Sequence, residues 1–395
     1  MLAVMLTPTL PLIKKQYFNL MNRKFIAICL LLTCLFTACS RNTFKQSLNY
    51  NHFPTTLTER VDSLIASTMN HYNIPGLSIG IIKDDSVIFS KGYGVTGIIN
   101  QKKVTEYSIF HTASVSKIFT ALAIMHLIEN RQLALDEKLV TIIPKLKYTD
   151  KRVNDITIKT MLNHTSGIPD INSYNWSNNN QDDSSLKNYI LNKNIKLEFA
   201  PATKYAYSNL AYDILGLVVE QVSGLTFEEY VKSNILTPNE MIQSDFRYFK
   251  IADSLKTYPH SKSWLSKNVY QRNIYPYTRE HSPSSTLNSS TIELSKWMIS
   301  FIKKLDTEKE PYYFQSMIKQ STNLNKYIGL GFQLNTIEGQ KTIGHFGGDK
   351  GFRSYLLIIP DKKIGAVVLA NCDYNEDFRQ EIINQILKIM LARVH

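Results

Sequence analysis

The run Ser114-Val115-Ser116-Lys117-Ile118-Phe119-Thr120-Ala121-Leu122-Ala123-Ile124-Met125-His126-Leu127-Ile128 decides how this chain is read. Its apolar residues leave almost no polar face at a period of 3.6, so they predict a helix surrounded by protein. Ser114 stands at the first turn of that helix and Lys117 three residues on, on the same face. A lysine there needs a partner. Burial penalises the ammonium and lowers its pKa, and a neutral amine can take the hydroxyl proton of Ser114. The helix N-terminus also favours negative charge developing at that point. Spacing alone is a weak signal, because Ser-x-x-Lys recurs at Ser184/Lys187, Ser300/Lys303 and Ser316/Lys319. An N-cap serine beside a snorkelling lysine explains the first match equally well.

Order along the chain separates the two readings. Tyr207-Ser208-Asn209 follows 93 residues after Ser114, and His345-Phe346-Gly347-Gly348 begins 138 residues after Tyr207. Ser-x-x-Lys, Tyr-x-Asn and His-x-Gly in this succession resemble the serine β-lactamase and D-alanyl-D-alanine carboxypeptidase superfamily, and specifically its class C β-lactamase-like branch, which is related to the penicillin-binding proteins. Ile74-Pro75-Gly76-Leu77, Asn163-His164-Thr165-Ser166-Gly167-Ile168-Pro169 and Gly351-Phe352 add to the likeness, which spans about residues 55–392.

The resemblance implies roles. Ser114 is the expected nucleophile, Lys117 its activator, and Tyr207 a proton relay to the leaving group or from the deacylating water if cationic neighbours acidify its phenol. Asn209 is expected on the substrate amide. Backbone N–H groups of Ser114 and Gly348 form the expected oxyanion hole, with Gly347 and His345 on the strand the substrate lies against. His164 falls in a family-typical turn and is read as structural. The chain departs from the pattern in three places. His345 stands where many relatives have lysine, and a histidine only partly charged near neutrality holds a substrate carboxylate less firmly. Pro283-Ser284-Ser285-Thr286-Leu287 replaces Pro-Ala-Gly-Gly-Leu, and Pro201-Ala202 replaces a frequent Pro-Gly.

The ends of the chain predict a sheet. Thr56 and Glu59 have capping-box spacing ahead of a helix with Leu57, Val61, Leu64, Ile65 and Met69 on one face. Leu77–Ile82 and Val87–Tyr93 read as a hairpin turned by Lys83-Asp84-Asp85-Ser86. Thr342–Phe346, Ser354–Ile359 and Ile364–Leu369 read as strands, with Pro360-Asp361-Lys362-Lys363 between the last two and a closing helix carrying Phe378, Ile382, Ile386, Ile389 and Met390. The expected class is α/β of the α+β kind: an antiparallel sheet from about 55–113 and 335–392, flanked by terminal helices, with a large helical region inserted from about 114 to 300. Asn172–Asn194, rich in Asn, Asp and Ser, is expected to be an exposed loop.

Before the domain, Arg23 and Lys24 precede the apolar run Phe25–Phe36 and then Thr37-Ala38-Cys39. This resembles a bacterial lipoprotein signal over 1–38, with Cys39 lipidated, 39–54 a tether, and the protein anchored at the cell-envelope membrane. Cys29 and Cys34 would leave with the signal, so Cys372 is left as a buried, inert thiol. The formal charge of +12 is scattered without long runs and Trp is sparse, which argues against nucleic acid and for an anionic surface. No Cys-x-x-Cys, helical His pair or phosphate loop is present, so neither a metal nor a cofactor is expected. The expected activity is a serine hydrolase acting on an amide or ester through an acyl-serine. Its substrate would be a small molecule or peptide, for instance a D-alanyl peptide derived from peptidoglycan. A true β-lactamase and a non-hydrolytic penicillin-binding sensor or scaffold are the alternatives.

Overall fold

The computed structural model describes residues 56–309, 313–374 and 378–392. The expected signal, Cys39 and the whole tether lie outside the described residues. Thr56 opens helix α1 (Leu57–Tyr72) with the predicted capping box: its hydroxyl accepts from the Glu59 N–H at 3.2 Å, and its own N–H donates to the Glu59 carboxylate at 3.1 Å. Strands β1 (Gly76–Lys83) and β2 (Ser86–Gly94) follow as a hairpin, with Asp84 in the left-handed region at φ 53°. The central helices are α2 (Ser116–Glu129), α3 (Asn209–Ser223) and α4 (Thr291–Thr307). The chain then returns through β3 (Gln333–Ile337), β4 (Gln340–Asp349), β5 (Phe352–Ile359), β6 (Ile364–Ala370) and α5 (Phe378–Leu391).

These strands form one antiparallel sheet of six, in the order β2-β1-β6-β5-β4-β3, so the two ends of the chain meet at the β1–β6 pair. Every residue of β6 is buried, which is why it reads as a continuous apolar run rather than an alternating one. Alternation still sorts its side chains. Ala366, Val368 and Ala370 pack with α1 and α5, while Val367 and Leu369 face the larger core around α2 and α3. Helix α4 lies hard against β1, because a Cβ on Gly80 would meet the Ser295 hydroxyl at 2.3 Å and the Thr291 carbonyl at 3.0 Å. Only a glycine admits that approach.

Two expectations are corrected. Asn172–Asn194 is not wholly an exposed loop: Ser185–Asn192 is a helix burying Leu186 and Ile190, and Trp176 is 8% exposed. Its polar composition outweighed the few apolar residues, Leu186, Tyr189 and Ile190, that sit at helical spacing. The other expectation missed β3, whose half-buried side chains give only a faint pattern on the sheet edge beside β4.

Candidate active site

Ser114 occupies a single 3-10 turn, Ala113–Val115, that feeds straight into α2. Ala113 takes φ 48° there, a conformation that costs a residue with a Cβ about 1–3 kcal/mol. Surrounding bonds hold the turn. The Ser116 hydroxyl donates to the Ala113 carbonyl at 2.6 Å, the Ser354 hydroxyl donates to the Thr112 carbonyl at 2.6 Å, and the Thr112 N–H reaches the Leu287 carbonyl at 2.8 Å.

One turn on, Lys117 is fully buried. Its Nζ lies 2.6 Å from Asn209 Oδ1, 2.7 Å from the Ser284 carbonyl and 3.2 Å from Ser114 Oγ. The first two partners can only accept, whereas the third is a hydroxyl. A neutral amine therefore spends its two N–H bonds on the carbonyl oxygens and turns its lone pair to Ser114. Desolvation lowers the Lys117 pKa to about 7, against the opposing pull of the Asp213, Asp170 and Asp349 carboxylates. At neutral pH a large share of this lysine is uncharged. The other three Ser-x-x-Lys matches offer nothing comparable, since Lys187, Lys303 and Lys319 are all exposed.

The Tyr207 hydroxyl lies 3.2 Å from Ser114 Oγ on the far side. Burial pushes its phenol well above the ordinary value. The condition for an acidified tyrosine is not met: among the described residues the one cation over its ring is Lys117, at 5.1 Å, and desolvation prevails. Tyr207 is a proton donor at rest. Beneath it His164 stacks at a centroid distance of 4.3 Å and accepts the Ser208 N–H on Nδ1 at 3.1 Å, the bracing position its turn suggested.

Asn209 begins α3. Because Oδ1 faces Lys117, Nδ2 points outward, and there it meets a carboxylate that sequence reasoning missed. Asp170 accepts both the backbone N–H of Asn209, at 2.8 Å, and its Nδ2, at 3.0 and 3.2 Å.

Strand β4 supplies the far wall. β3 pairs with it only over Gln340–Gly344, so the edge from His345 to Asp349 is free of a neighbouring strand. The Phe346 N–H donates sideways to Gln333 Oε1 at 3.1 Å, which fixes the alternation and sends the Gly348 N–H toward the same open side. On Gly347 a Cβ would fall 2.2 Å from the Thr112 carbonyl and 3.3 Å from the Ser114 nitrogen, so the strand and the turn that carries Ser114 touch at this glycine. His345 is buried with Nδ1 bonded to the Phe346 carbonyl at 2.6 Å, and desolvation lowers its pKa to about 3. The expected partial charge is corrected to none.

A sequence model of the family described as Beta-lactamase matches residues 61–390. The chain belongs to the Beta-lactamase family. It is 28% identical over 347 residues to Protein flp of Staphylococcus aureus, covering 83% of this chain and 65% of that one, and so spans just under two thirds of the length of that relative. The octameric penicillin-binding protein homologue from Pyrococcus abyssi superposes with a TM-score of 0.73 at 26% identity, over 85% of this chain and 78% of that one. D-amino acid amidase from Ochrobactrum anthropi SV3, solved with L-phenylalanine, shares the fold at a TM-score of 0.71 and 15% identity, over 85% of this chain and 99% of that one.

In this Beta-lactamase-family chain a second missed carboxylate, Asp349, ties the walls of the site together. It accepts from Trp176 Nε1 at 2.8 Å and from the Ser285 hydroxyl at 2.8 Å, and lies 3.3 Å from His111 Nε2. Burial alone would raise its carboxyl, but the bonds from His111 and Ser285 outweigh it and hold Asp349 below its ordinary value. Of the unusual Ser284-Ser285 pair, Ser285 thus has a use as a serine, its hydroxyl on Asp349, while Ser284 offers Lys117 only its backbone carbonyl. Both carboxylates directly follow quoted motifs, Asp170 after Pro169 and Asp349 after Gly348, and that adjacency was the available signal. Cys372 is buried away from this cluster, its thiol pushed up to about 12 by desolvation.

Proposed function

We propose that the protein is a serine hydrolase that cleaves an amide or ester through an acyl-enzyme on Ser114. The observation that carries this is the lone pair of Lys117, freed by two carbonyl partners and aimed at the Ser114 hydroxyl 3.2 Å away. Neutral Lys117 takes the proton as Ser114 Oγ attacks the carbonyl carbon. The oxyanion accepts from the N–H groups of Ser114 and Gly348. Tyr207, protonated, gives its hydroxyl proton to the departing nitrogen or oxygen, and solvent carries the proton held by Lys117 to the phenolate, so that both groups are reset while Oγ holds the acyl group. Water then repeats the sequence on the acyl-enzyme, with Lys117 again the base. A neutral His345 beside the open strand supports a substrate without a carboxylate at that position, such as an ester or amino-acid amide, over a β-lactam. The D-amino acid amidase among the structural neighbours is consistent with that class. Peptidoglycan-derived D-alanyl peptides remain within it when the carboxylate lies elsewhere.

A fluorophosphonate probe and a fluorescent penicillin, applied to the protein and to Ser114→Ala, test the assignment. The parent should label with the first reagent at least, and the variant with neither; equal labelling of the variant would refute Ser114 as the nucleophile. A parent that labels and never turns over any amide or ester would instead favour a sensor. We further propose that residues 1–38 are a lipoprotein signal, that Cys39 is acylated, and that the enzyme works at the outer face of a membrane in the cell envelope. Metabolic palmitate labelling that survives Cys39→Ala would refute the anchor.

A further inference from the structure

Away from the catalytic cleft, His260–Lys262 and Val269–Gln271 form a short hairpin whose tip carries Trp264 and Leu265, each 83% exposed. The tip is ordered by its own bonds. The Ser263 N–H reaches the Asn268 carbonyl at 2.8 Å, the Lys267 N–H reaches the Ser263 carbonyl at 3.0 Å, and Lys267 takes φ 57° to close the turn. The base is fixed as well: His260 accepts the Ile98 N–H on Nε2 at 3.2 Å and donates from Nδ1 to the Asn371 carbonyl at 2.9 Å. The same contact brings the turn around Ile99, itself 76% exposed, beside the hairpin, where the Ile99 N–H reaches Gln271 Oε1 at 3.4 Å.

The charge around this tip is one-sided. The hairpin itself, residues 260–271, carries Lys262 and Lys267 and no Asp or Glu, and Lys102 and Lys103 lie in the adjoining turn. Among the described residues Lys102, Lys103, Lys262 and Lys267 form no ion pair. Two side chains at a loop tip fall well short of the roughly 800 Å² per partner that a stable protein interface needs. A bilayer makes no such demand, and an indole beside lysines suits its headgroup–acyl boundary.

We propose that this hairpin is a membrane wedge: Trp264 and Leu265 insert into the boundary region of an anionic bilayer while Lys262 and Lys267 lie against the lipid phosphates. The inference stands apart from the catalytic assignment and from any acyl chain on Cys39.

The protein's own fluorescence tests it. Of the three tryptophans, Trp176 is 8% and Trp297 1% exposed, so Trp264 is the solvent-facing one. Full-length protein added to vesicles of phosphatidylglycerol and phosphatidylcholine should show a blue-shifted emission that acyl-chain bromines quench. Trp264→Ser should abolish both responses. Lys262→Gln with Lys267→Gln should weaken vesicle affinity by about tenfold or more at low salt. Fluorophosphonate labelling of Ser114, or circular dichroism should that labelling fail, shows that the variants are folded. Vesicle association without any change at Trp264 would mean attachment by the N-terminus alone and would overturn the wedge. A blue shift that needs only more protein and no lipid would point to self-association and would overturn it equally.

Discussion

Asp170 Oδ1 accepts from both nitrogens of Asn209, the backbone N at 2.8 Å and Nδ2 at 3.0 Å, so the amide expected to hold a substrate is already engaged. A substrate carbonyl therefore competes with this exposed carboxylate for the N–H groups of Nδ2. Asp170 also pulls the Lys117 pKa upward. Asp170→Ala should therefore lower KM for N-acylated substrates severalfold and move the acid limb of kcat/KM to lower pH. Steady-state kinetics from pH 5 to 9 would check both, and an unchanged KM with an unmoved limb would refute the gating role.

The acid limb itself should fall near pH 7. In the proposed mechanism the active form is neutral Lys117, whose pKa desolvation lowers to about 7, so kcat/KM should drop about tenfold per unit below that point and level off above it. His345, with a pKa of about 3, is neutral across this range and should add no limb near 6.5. Asp213 is the first of the carboxylates opposing the shift. Asp213→Asn should therefore send the limb lower still, and Lys117→Ala should cost about 10²–10⁴-fold. A limb that His345→Asn removes would place the base on the wrong residue.

Much of this was legible in the chain, for physical reasons. The fully apolar α2 could only be a buried helix, and β1 and β6 are continuous apolar runs because both faces of the sheet are covered. What was hidden depends on contacts between distant segments. Asp349 and Trp176 are 173 residues apart, and neither belongs to a periodic pattern. The protonation states were hidden too, because they are set by burial. Tyr207 and His345 were both placed at the site, yet each was assigned more charge than desolvation allows.

Arg279 offers a test of what holds the segment that leads into Ser284-Ser285. Its guanidinium is 1% exposed and donates to Glu228 at 2.9 and 3.1 Å and to Glu220 at 2.9 Å, and it also binds the Asp183 carbonyl. It therefore ties the segment after Trp176 to the end of α3. Arg279→Ala leaves buried Glu228 without its cation and should destabilise the fold by about 3–5 kcal/mol. Glu228→Gln in the same chain should recover part of that loss. Urea denaturation of the parent and the two variants decides it, and Arg279→Ala within 1 kcal/mol of the parent would show that water has replaced the pair.

The two neighbouring glycines of β4 should behave oppositely. A Cβ on Gly347 would stand 2.1 Å from Ser354 Oγ and 2.2 Å from the Thr112 carbonyl. Gly347→Ala must therefore push the strand away from the turn that carries Ser114 and open the gap between the two oxyanion donors. Misplacing one such donor costs about 10²–10³-fold in kcat, and the backbone shift about 1–3 kcal/mol of stability. On Gly348 the Cβ would meet only the flexible Arg353 side chain, at 3.4 Å. The cross-strand register puts that arginine on the sheet face turned away from Ser114. Gly348→Ala keeps the backbone N–H and should retain acylation within about threefold. Rates of fluorophosphonate labelling measure the contrast, and equal losses in the two variants would mean that the oxyanion donor is not the Gly348 N–H.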